Sequence, residues 1–245
     1  VALSDATVEG RLNRGIAPSA ITVADPSVAV LDRFKVRGVN VTTDNACAAS
    51  AADIVMVVVK PWFVESVLAG IKQSIDYSRQ ILVIIAAGIK GEQLRSWLDK
   101  DGDLPQMALV IPNIAVSIGQ SMTFVAPVNA SDLTIKAITD TFDLMGSTLV
   151  VDEAHLGAGT TLASCGIAYA MRYIRASIEG GVELGFKAAD AQKIVVQTVK
   201  GAAGLLSLPG AHPESEIDKV TTPGGITIKG LNEMEHAGFT SAVIR

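Results

Sequence analysis

Residues 53–60 read Asp-Ile-Val-Met-Val-Val-Val-Lys, and residues 81–88 read Ile-Leu-Val-Ile-Ile-Ala-Ala-Gly. Asp53–Val59 and Ile81–Ile85 are short apolar runs rich in β-branched residues, without the alternation of a half-exposed strand. Such runs belong to strands covered on both faces, the situation of a parallel sheet packed between helices. Between them Val64, Val67, Leu68 and Ile71 recur at helical spacing, so Phe63–Ile75 is expected to be a helix. Working outward, Ile21–Ala24, Val39–Thr42, Leu109–Ile111 and Met122–Val125 read as further strands. Ala2–Arg14 and Ile135–Met145 read as helices. Strand and helix in this rhythm predict an α/β fold with a doubly wound parallel sheet.

The pattern changes near Asp152, beyond which no strand is expected. Ile167, Met171, Ile174, Ile178 and Val182 trace one long helix, and Ala189–Leu208 a second. Pro209, Gly210 and Pro213 interrupt, and a short acidic segment follows. The sequence therefore predicts two domains, 1–151 as an α/β domain and 152–245 as an all-helical one.

Composition excludes several function classes. An apolar fraction of 49% with 18% charged residues describes a folded globular chain. A net charge of −5 and a pI near 5.2 lack the clustered basic charge of a nucleic-acid binder. The longest uncharged stretch, Leu156–Met171, has 16 residues, short of the ~20 a membrane-spanning helix needs. A soluble protein with no membrane partner is expected. Cys47 and Cys165 lie 118 positions apart without metal-type spacing, which fits a reduced, cytoplasmic protein with no metal site. No signal peptide is visible, and a first residue of Val1 leaves room for sequence upstream.

Open α/β sheets bind ligands beyond the carboxyl ends of their strands. Those ends carry Asp25, then Lys60-Pro61, then Ala86-Ala87-Gly88, then Pro112-Asn113. Prolines and glycines end strands everywhere, and a lysine there is where chain meets water. Four such corners on one rim nevertheless predict a crevice, with Ala86-Ala87-Gly88 small enough to admit a flat ring or a ribose. A dinucleotide fold should also place a Gly-x-Gly-x-x-Gly turn about 20 residues ahead of the acidic residue ending its second strand. Counting back from Asp25 reaches Val1 without meeting one, and Ala2–Gly15 reads as the helix that follows such a turn. The first strand and its glycine loop are expected upstream.

Near the other end, residues 220–231 read Val-Thr-Thr-Pro-Gly-Gly-Ile-Thr-Ile-Lys-Gly-Leu. Pro-Gly-Gly permits a sharp turn, and the following helix would open with outward-pointing amides suited to a carboxylate or phosphate. The plain structural alternative is a helix start capped by the hydroxyls of Thr221, Thr222 or Thr227.

Thr222-Pro-Gly-Gly-Ile-Thr-Ile-Lys-Gly-Leu231, followed by Glu235, Gly238-Phe239 and Ala242-Val-Ile244, closely resembles the C-terminal signature of the pyrroline-5-carboxylate reductases. The resemblance extends to Thr43-Asp44-Asn45, Val59-Lys60-Pro61, Ala86-Ala87-Gly88, Pro112-Asn113 and His212-Pro213. It implies a Rossmann domain followed by a helical domain that intertwines in a dimer, often within a ring of dimers. It also implies reduction of 1-pyrroline-5-carboxylate to L-proline by NADPH or NADH. Two departures stand out. The family's glycine loop has no counterpart, and its Ser-Gly-Ser-Gly-Pro-Ala-Tyr segment is Ala163-Ser-Cys-Gly-Ile-Ala-Tyr169 here. The motif's first serine is thus alanine and its second is Cys165, which would weaken hydroxyl contacts near the substrate unless Ser164, shifted one place, replaces them.

On that resemblance Thr227 is the catalytic candidate, hydrogen-bonding the ring nitrogen. Gly224, Gly225 and the amides near Ile226 and Thr227 would hold the substrate carboxylate, with help from Thr222. Glu153 matches an acidic position near the substrate; its structural alternative is a first-turn carboxylate answering the helix dipole. Asp25, Asn45, Lys60, Pro61, Ala86, Ala87 and Gly88 would line the cofactor. A carboxylate at Asp25 favours a free ribose 2′-hydroxyl, hence NADH, whereas the family commonly uses NADPH. His155, His212 and His236 are expected to be solvated or capping, and Tyr169 to pack in the helical core. A β-hydroxyacid dehydrogenase is the nearest rival, yet no lysine lies between Glu153 and Phe186 to serve its proton transfer. An imine reductase of different substrate range and a non-catalytic assembly or ligand-sensing protein of the same fold complete the alternatives.

Overall fold

The structure, a computed structural model, describes residues 2–245; Val1, the first residue of the expected α/β domain, lies outside them. The chain forms two compact units, one ending at Tyr169 and the other running from Ala170 to Arg245.

In the first unit α1 (Ala2–Asn13) leads to β1 (Thr22–Ala24), α2 (Val28–Lys35), β2 (Asn40–Thr42), α3 (Asn45–Ala51) and β3 (Ile54–Val57). Next come α4 (Pro61–Ile71), β4 (Ile81–Ile84), α5 (Gly91–Leu98), β5 (Gln106–Ile111), β6 (Ser121–Asn129), α6 (Asp132–Asp143) and β7 (Gly146–Val150). The parallel pair β1–β2 forms one sheet, and a second sheet runs in the order β3-β4-β5-β6-β7. In the doubly wound order 3-2-1-4-5-6, β2 and β1 take the places of strands 3 and 2, and β3–β5 those of 4–6. Among the described residues no strand takes the place between β1 and β3.

The unbroken apolar runs are explained by burial on both sides. Val55, Val57, Leu82, Ile84, Met107 and Leu109 face Val64, Leu68, Leu94 and Leu98 of α4 and α5. The alternate residues Val83, Ile85, Ala108 and Val110 face Ala6, Ile138 and Phe142 of α1 and α6. One strand joint departs from the parallel expectation: β5 pairs antiparallel with β6. Only a short 3-10 turn, Ile114–Ile118, separates them, whereas a parallel crossover needs a dozen residues or more. Register shifts between Met107 and Ala108, where Ala108 pairs Pro127; an irregularity is one of the few places a strand accommodates proline.

The expected boundary at 151/152 falls inside the first unit, because the chain beyond it still packs there. Leu156 joins the core beside Phe124, with Ala163 against it, and a Cβ added at Gly159 would lie 2.9 Å from the Phe124 ring. This stretch comprises α7 (Leu156–Gly159), a π-helical turn (Thr160–Cys165) and the start of α8 (Gly166–Glu183). The second unit continues α8 and adds α9 (Ala188–Leu206), α10 (Pro213–Lys219), α11 (Ile226–His236) and α12 (Phe239–Ile244). Among the described residues no helix is long and apolar enough to cross a membrane.

Candidate active site

The first unit gathers its predicted site residues at the carboxyl ends of its strands. Asp25 follows β1; its backbone N–H donates to Thr42 O at 3.3 Å, and its Oδ1 accepts from Ser27 N at 2.8 Å. The Asx turn fixes this carboxylate and leaves its second oxygen without a hydrogen bond among the described residues. Asn45 is exposed at the first position of α3. The cap of that helix is Asp44, whose Oδ1 accepts from Ala46 N and Cys47 N at 2.8 and 3.1 Å. Lys60 is the exposed cap residue of α4, with Pro61 at the first helical position, where its missing N–H costs nothing. Ala86 is buried and Ala87 exposed after β4. Gly88 adopts φ +81°, a left-handed conformation that explains the glycine, and no atom lies within 4 Å of where its Cβ would be. A flat ligand therefore has room at this corner.

Glu153 opens the 3-10 turn Glu153–His155. Its Oε2 lies 2.6 Å from where a Cβ on Gly91 would stand, so the carboxylate sits at the amino end of α5. The expected dipole partner was its own helix; the nearer helix start is that of α5. The α5 start is further shaped by Lys90 N, which donates to Gln93 Oε1 at 2.9 Å.

In the second unit Gly225 N donates to Thr222 O at 3.0 Å, closing the turn Thr222-Pro-Gly-Gly225. Pro223 at the second position and Gly224 at φ +72° at the third are the chemistry of a type II turn. Gly225 is then the cap residue of α11 and makes no side-chain cap hydrogen bond. The threonine-cap alternative is thereby excluded at this helix: Thr221 Oγ1 donates instead to Ile217 O at 2.8 Å. Thr222 is exposed, Thr227 half-buried, and Ile226 87% exposed. The opening amides of α11 lack the partners that a side-chain cap would give them.

Other expectations divide. His155 is exposed and lies 3.3 Å from Asp152 Oδ2, His236 is in the last turn of α11 at 3.9 Å from Glu233, and His212 is the cap residue of α10. Tyr169 does not pack in a helical core. It is 63% exposed, because no element of the described chain covers it. Ser164, the candidate stand-in for a lost serine, commits its hydroxyl proton to Pro112 O at 3.2 Å. Sequence reading missed Trp62 and Phe63, exposed rings 6.0 Å apart just past Lys60-Pro61. The sign that could have found them is two large aromatic residues directly after a strand-end proline. Among the described residues no three His, Cys, Asp or Glu side chains converge as a metal site.

Comparison with known proteins adds independent findings. Residues 153–245 match the family described as pyrroline-5-carboxylate reductase dimerisation, and residues 3–102 match NADP oxidoreductase, coenzyme F420-dependent. The chain is 40% identical over 237 residues to pyrroline-5-carboxylate reductase 1 of Dictyostelium discoideum. That match covers 92% of this chain and 42% of the relative's length. It is 33% identical to pyrroline-5-carboxylate reductase of Methanosarcina acetivorans, with 99% and 91% of the two chains covered. A solved Plasmodium falciparum pyrroline carboxylate reductase with NADP bound superposes at a TM-score of 0.88 and 25% identity, covering 100% of this chain and 90% of the other.

Proposed function

The chain belongs to the pyrroline-5-carboxylate reductase family, and from that premise we propose how it reduces 1-pyrroline-5-carboxylate to L-proline with a hydride from NAD(P)H. The observation that carries the substrate reading is the Thr222–Gly225 turn feeding an α11 start without a side-chain cap. A helix start of this kind is complementary to an anion. The substrate's carboxylate is that anion, held by the amides near Ile226 and Thr227, with Gly224 and Gly225 admitting its close approach and the Thr222 hydroxyl beside it.

Reduction of a cyclic imine adds hydride to the C=N carbon while the electron pair moves to nitrogen, which must be protonated. Thr227 is placed one helical residue past Ile226, and its hydroxyl donates to the ring nitrogen. A threonine hydroxyl is a poor acid, so it orients the imine and relays a proton from water.

Bound NADPH or NADH supplies the hydride. The strand-end residues fit such a group. Asp25 offers its second oxygen to a ribose hydroxyl, Asn45 an exposed amide, and Lys60 a cation for phosphate. Ala86, Ala87 and Gly88 provide the open corner for a ring, and Pro61 fixes the approach of Lys60. Asp25 favours NADH by its charge, while the NADP in the Plasmodium falciparum relative favours NADPH. The ratio of kcat/KM for the two coenzymes decides between them.

The partner is a second copy of this chain. Ala191 is the one buried residue recorded from Ala170 onward, while Leu184, Phe186, Ile194 and Leu205 are exposed. The matched dimerisation family covers this region, and burial of that apolar surface supports a dimer, with rings of dimers built from it. Both cysteines are free and exposed, which suits the reducing cytoplasm.

The test is coenzyme oxidation with 1-pyrroline-5-carboxylate, followed by Thr227→Val. Turnover is expected in the parent and a ten- to hundredfold lower kcat in the variant, on the order of 1.4–3 kcal/mol of transition-state stabilisation. Unchanged kcat and KM would remove Thr227 from the mechanism.

A further inference from the structure

Helix α4 presents two large rings to solvent. Its inner line, Val64, Leu68 and Ile71, is buried against the sheet. Trp62 and Phe63 stand off that line and are 71% and 53% exposed. Among the described residues 2–151 no other aromatic side chain is exposed. The two ring centroids lie 6.0 Å apart with their planes tilted by 56°, a favourable arrangement for an aromatic pair. The core makes no use of either ring. A lone exposed apolar side chain needs no explanation, but two adjoining rings form a patch, and such patches mark binding surfaces.

Their place in the fold indicates what binds. Helix α4 begins three residues after β3, so its first turn lies at the carboxyl rim of the sheet. Pro61, Trp62 and Phe63 are its first three residues. Helical Cα–Cβ bonds tilt toward the amino end. First-turn side chains therefore lean past the helix start, over the rim where open α/β sheets bind their ligands. Asp25 follows β1 on the same rim, and Lys60 precedes the pair directly. In the doubly wound order β1 and β3 stand two places apart, roughly 10 Å at the spacing of neighbouring strands, which is the span of a nucleoside. A ribose held by Asp25 thus carries its base toward β3. The coenzyme's other ring has the open corner at Gly88, after β4. Asp, Lys, Pro and Ala side chains give a purine no face to stack on; an indole does.

We propose that Trp62, braced by Phe63, is the shelf on which the adenine ring of the coenzyme stacks. This rests on the reading of the strand-end rim as the NAD(P)H site. Trp62 is a coenzyme-binding residue and takes no part in hydride transfer.

The test compares Trp62→Ala, Trp62→Phe and Phe63→Ala with the parent in the full-length protein. Calorimetry gives Kd for NADPH and NADH and for the two halves of the coenzyme, ADP-ribose and reduced nicotinamide mononucleotide. W62A is expected to raise Kd for ADP-ribose and for both coenzymes about five- to tenfold, with the nicotinamide half within twofold of the parent. W62F, which keeps a ring, should stay within about threefold, and F63A should give a smaller rise than W62A. Tryptophan emission supplies a second readout. Trp62 and Trp97 are the chain's two tryptophans, and Trp97 packs against the core. ADP-ribose should quench emission in the parent and leave it unchanged in W62F. An ADP-ribose Kd indifferent to W62A, or a quench that survives in W62F, would overturn the proposal. A rise confined to the nicotinamide half would move the pair to the other ring, and equal rises for both halves would mark a general disturbance; each refutes the adenine shelf. Weakened self-association in sedimentation equilibrium, with every Kd unchanged, would make the patch a contact between copies instead. If the parent binds neither coenzyme, the NAD(P)H reading itself falls.

Discussion

The two units of this chain solve the problem of burying apolar side chains in opposite ways. The first sandwiches a sheet between helices and leaves residues such as Phe142, Leu82 and Met107 wholly inside. The second carries helices of comparable apolarity yet buries only Ala191 among the residues recorded as buried there. A face like that of Leu184, Phe186 and Ile194 is stable in water only when something covers it. The first unit's stability should therefore be intrinsic, and the second's should be set by association.

The largest test of that contrast is in the first core. Phe142→Ala removes a ring from a fully buried position and is expected to cost about 3–5 kcal/mol in denaturant unfolding, at any protein concentration. A loss below ~1 kcal/mol would mean that the first unit too depends on a partner. In the second unit, joint replacement of Leu184 and Phe186 by Ala should weaken self-association at least tenfold in sedimentation equilibrium, about 1.4 kcal/mol or more. The unfolding midpoint of the first unit should stay put. A dimer constant indifferent to both changes would place the interface elsewhere.

The smallest effect concerns Tyr77 in the first unit. Its hydroxyl donates to Leu98 O at 2.7 Å, and Lys100 Nζ lies 3.9 Å above its ring. Burial first, then the carboxylates of Asp103 and Asp99, push its pKa up to about 12. An unfolded tyrosine ionises near pH 10, so the proton is held more tightly in the folded chain. The corresponding stability is complete below about pH 10 and is lost as pH rises from there toward 12. Tyr77→Phe should cost about 1 kcal/mol at pH 7 through the lost hydrogen bond, and should flatten that part of the alkaline decline. An alkaline decline identical in the two proteins would contradict the assignment.

The same contrast governs what could be read from sequence. Strands β3 and β4 were legible because burial on both faces demands unbroken apolar runs, and α8 because its apolar residues recur at helical spacing. Helix α3, Asn45–Ala51, escaped notice because its alanine-rich run has no apolar period; the Asp44 cap was its sign. Strand β7, Gly146–Val150, is largely exposed and carries serine and threonine, so it lacks the apolar run of a central strand. The antiparallel β5–β6 joint was implicit in the short connection between them. The hydrogen bond from Asn113 Nδ2 to Ala163 O spans 50 positions, and no local pattern encodes a contact at that range. Tyr169 was misread because helical periodicity marks a face to be covered without saying that the cover lies within the same chain.

For the candidate site, the chemistry of Thr222–Thr227 was visible in the residues, and the geometry sharpened it. A Cβ on Gly225 would stand 2.6 Å from Thr222 Oγ1 and 3.0 Å from Thr222 O, while Gly225's φ of −69° is open to any residue. Gly225→Val should therefore crowd the cradle, pressing on the hydroxyl and carbonyl of Thr222, although its own φ is acceptable. The most direct measurement is the pair of Michaelis constants for this variant, one for 1-pyrroline-5-carboxylate and one for the coenzyme. A rise of tenfold or more in the first, with the second within twofold of the parent, is the expected result. Equal loss of both, or no change in the first, would contradict the assignment of substrate recognition to this turn.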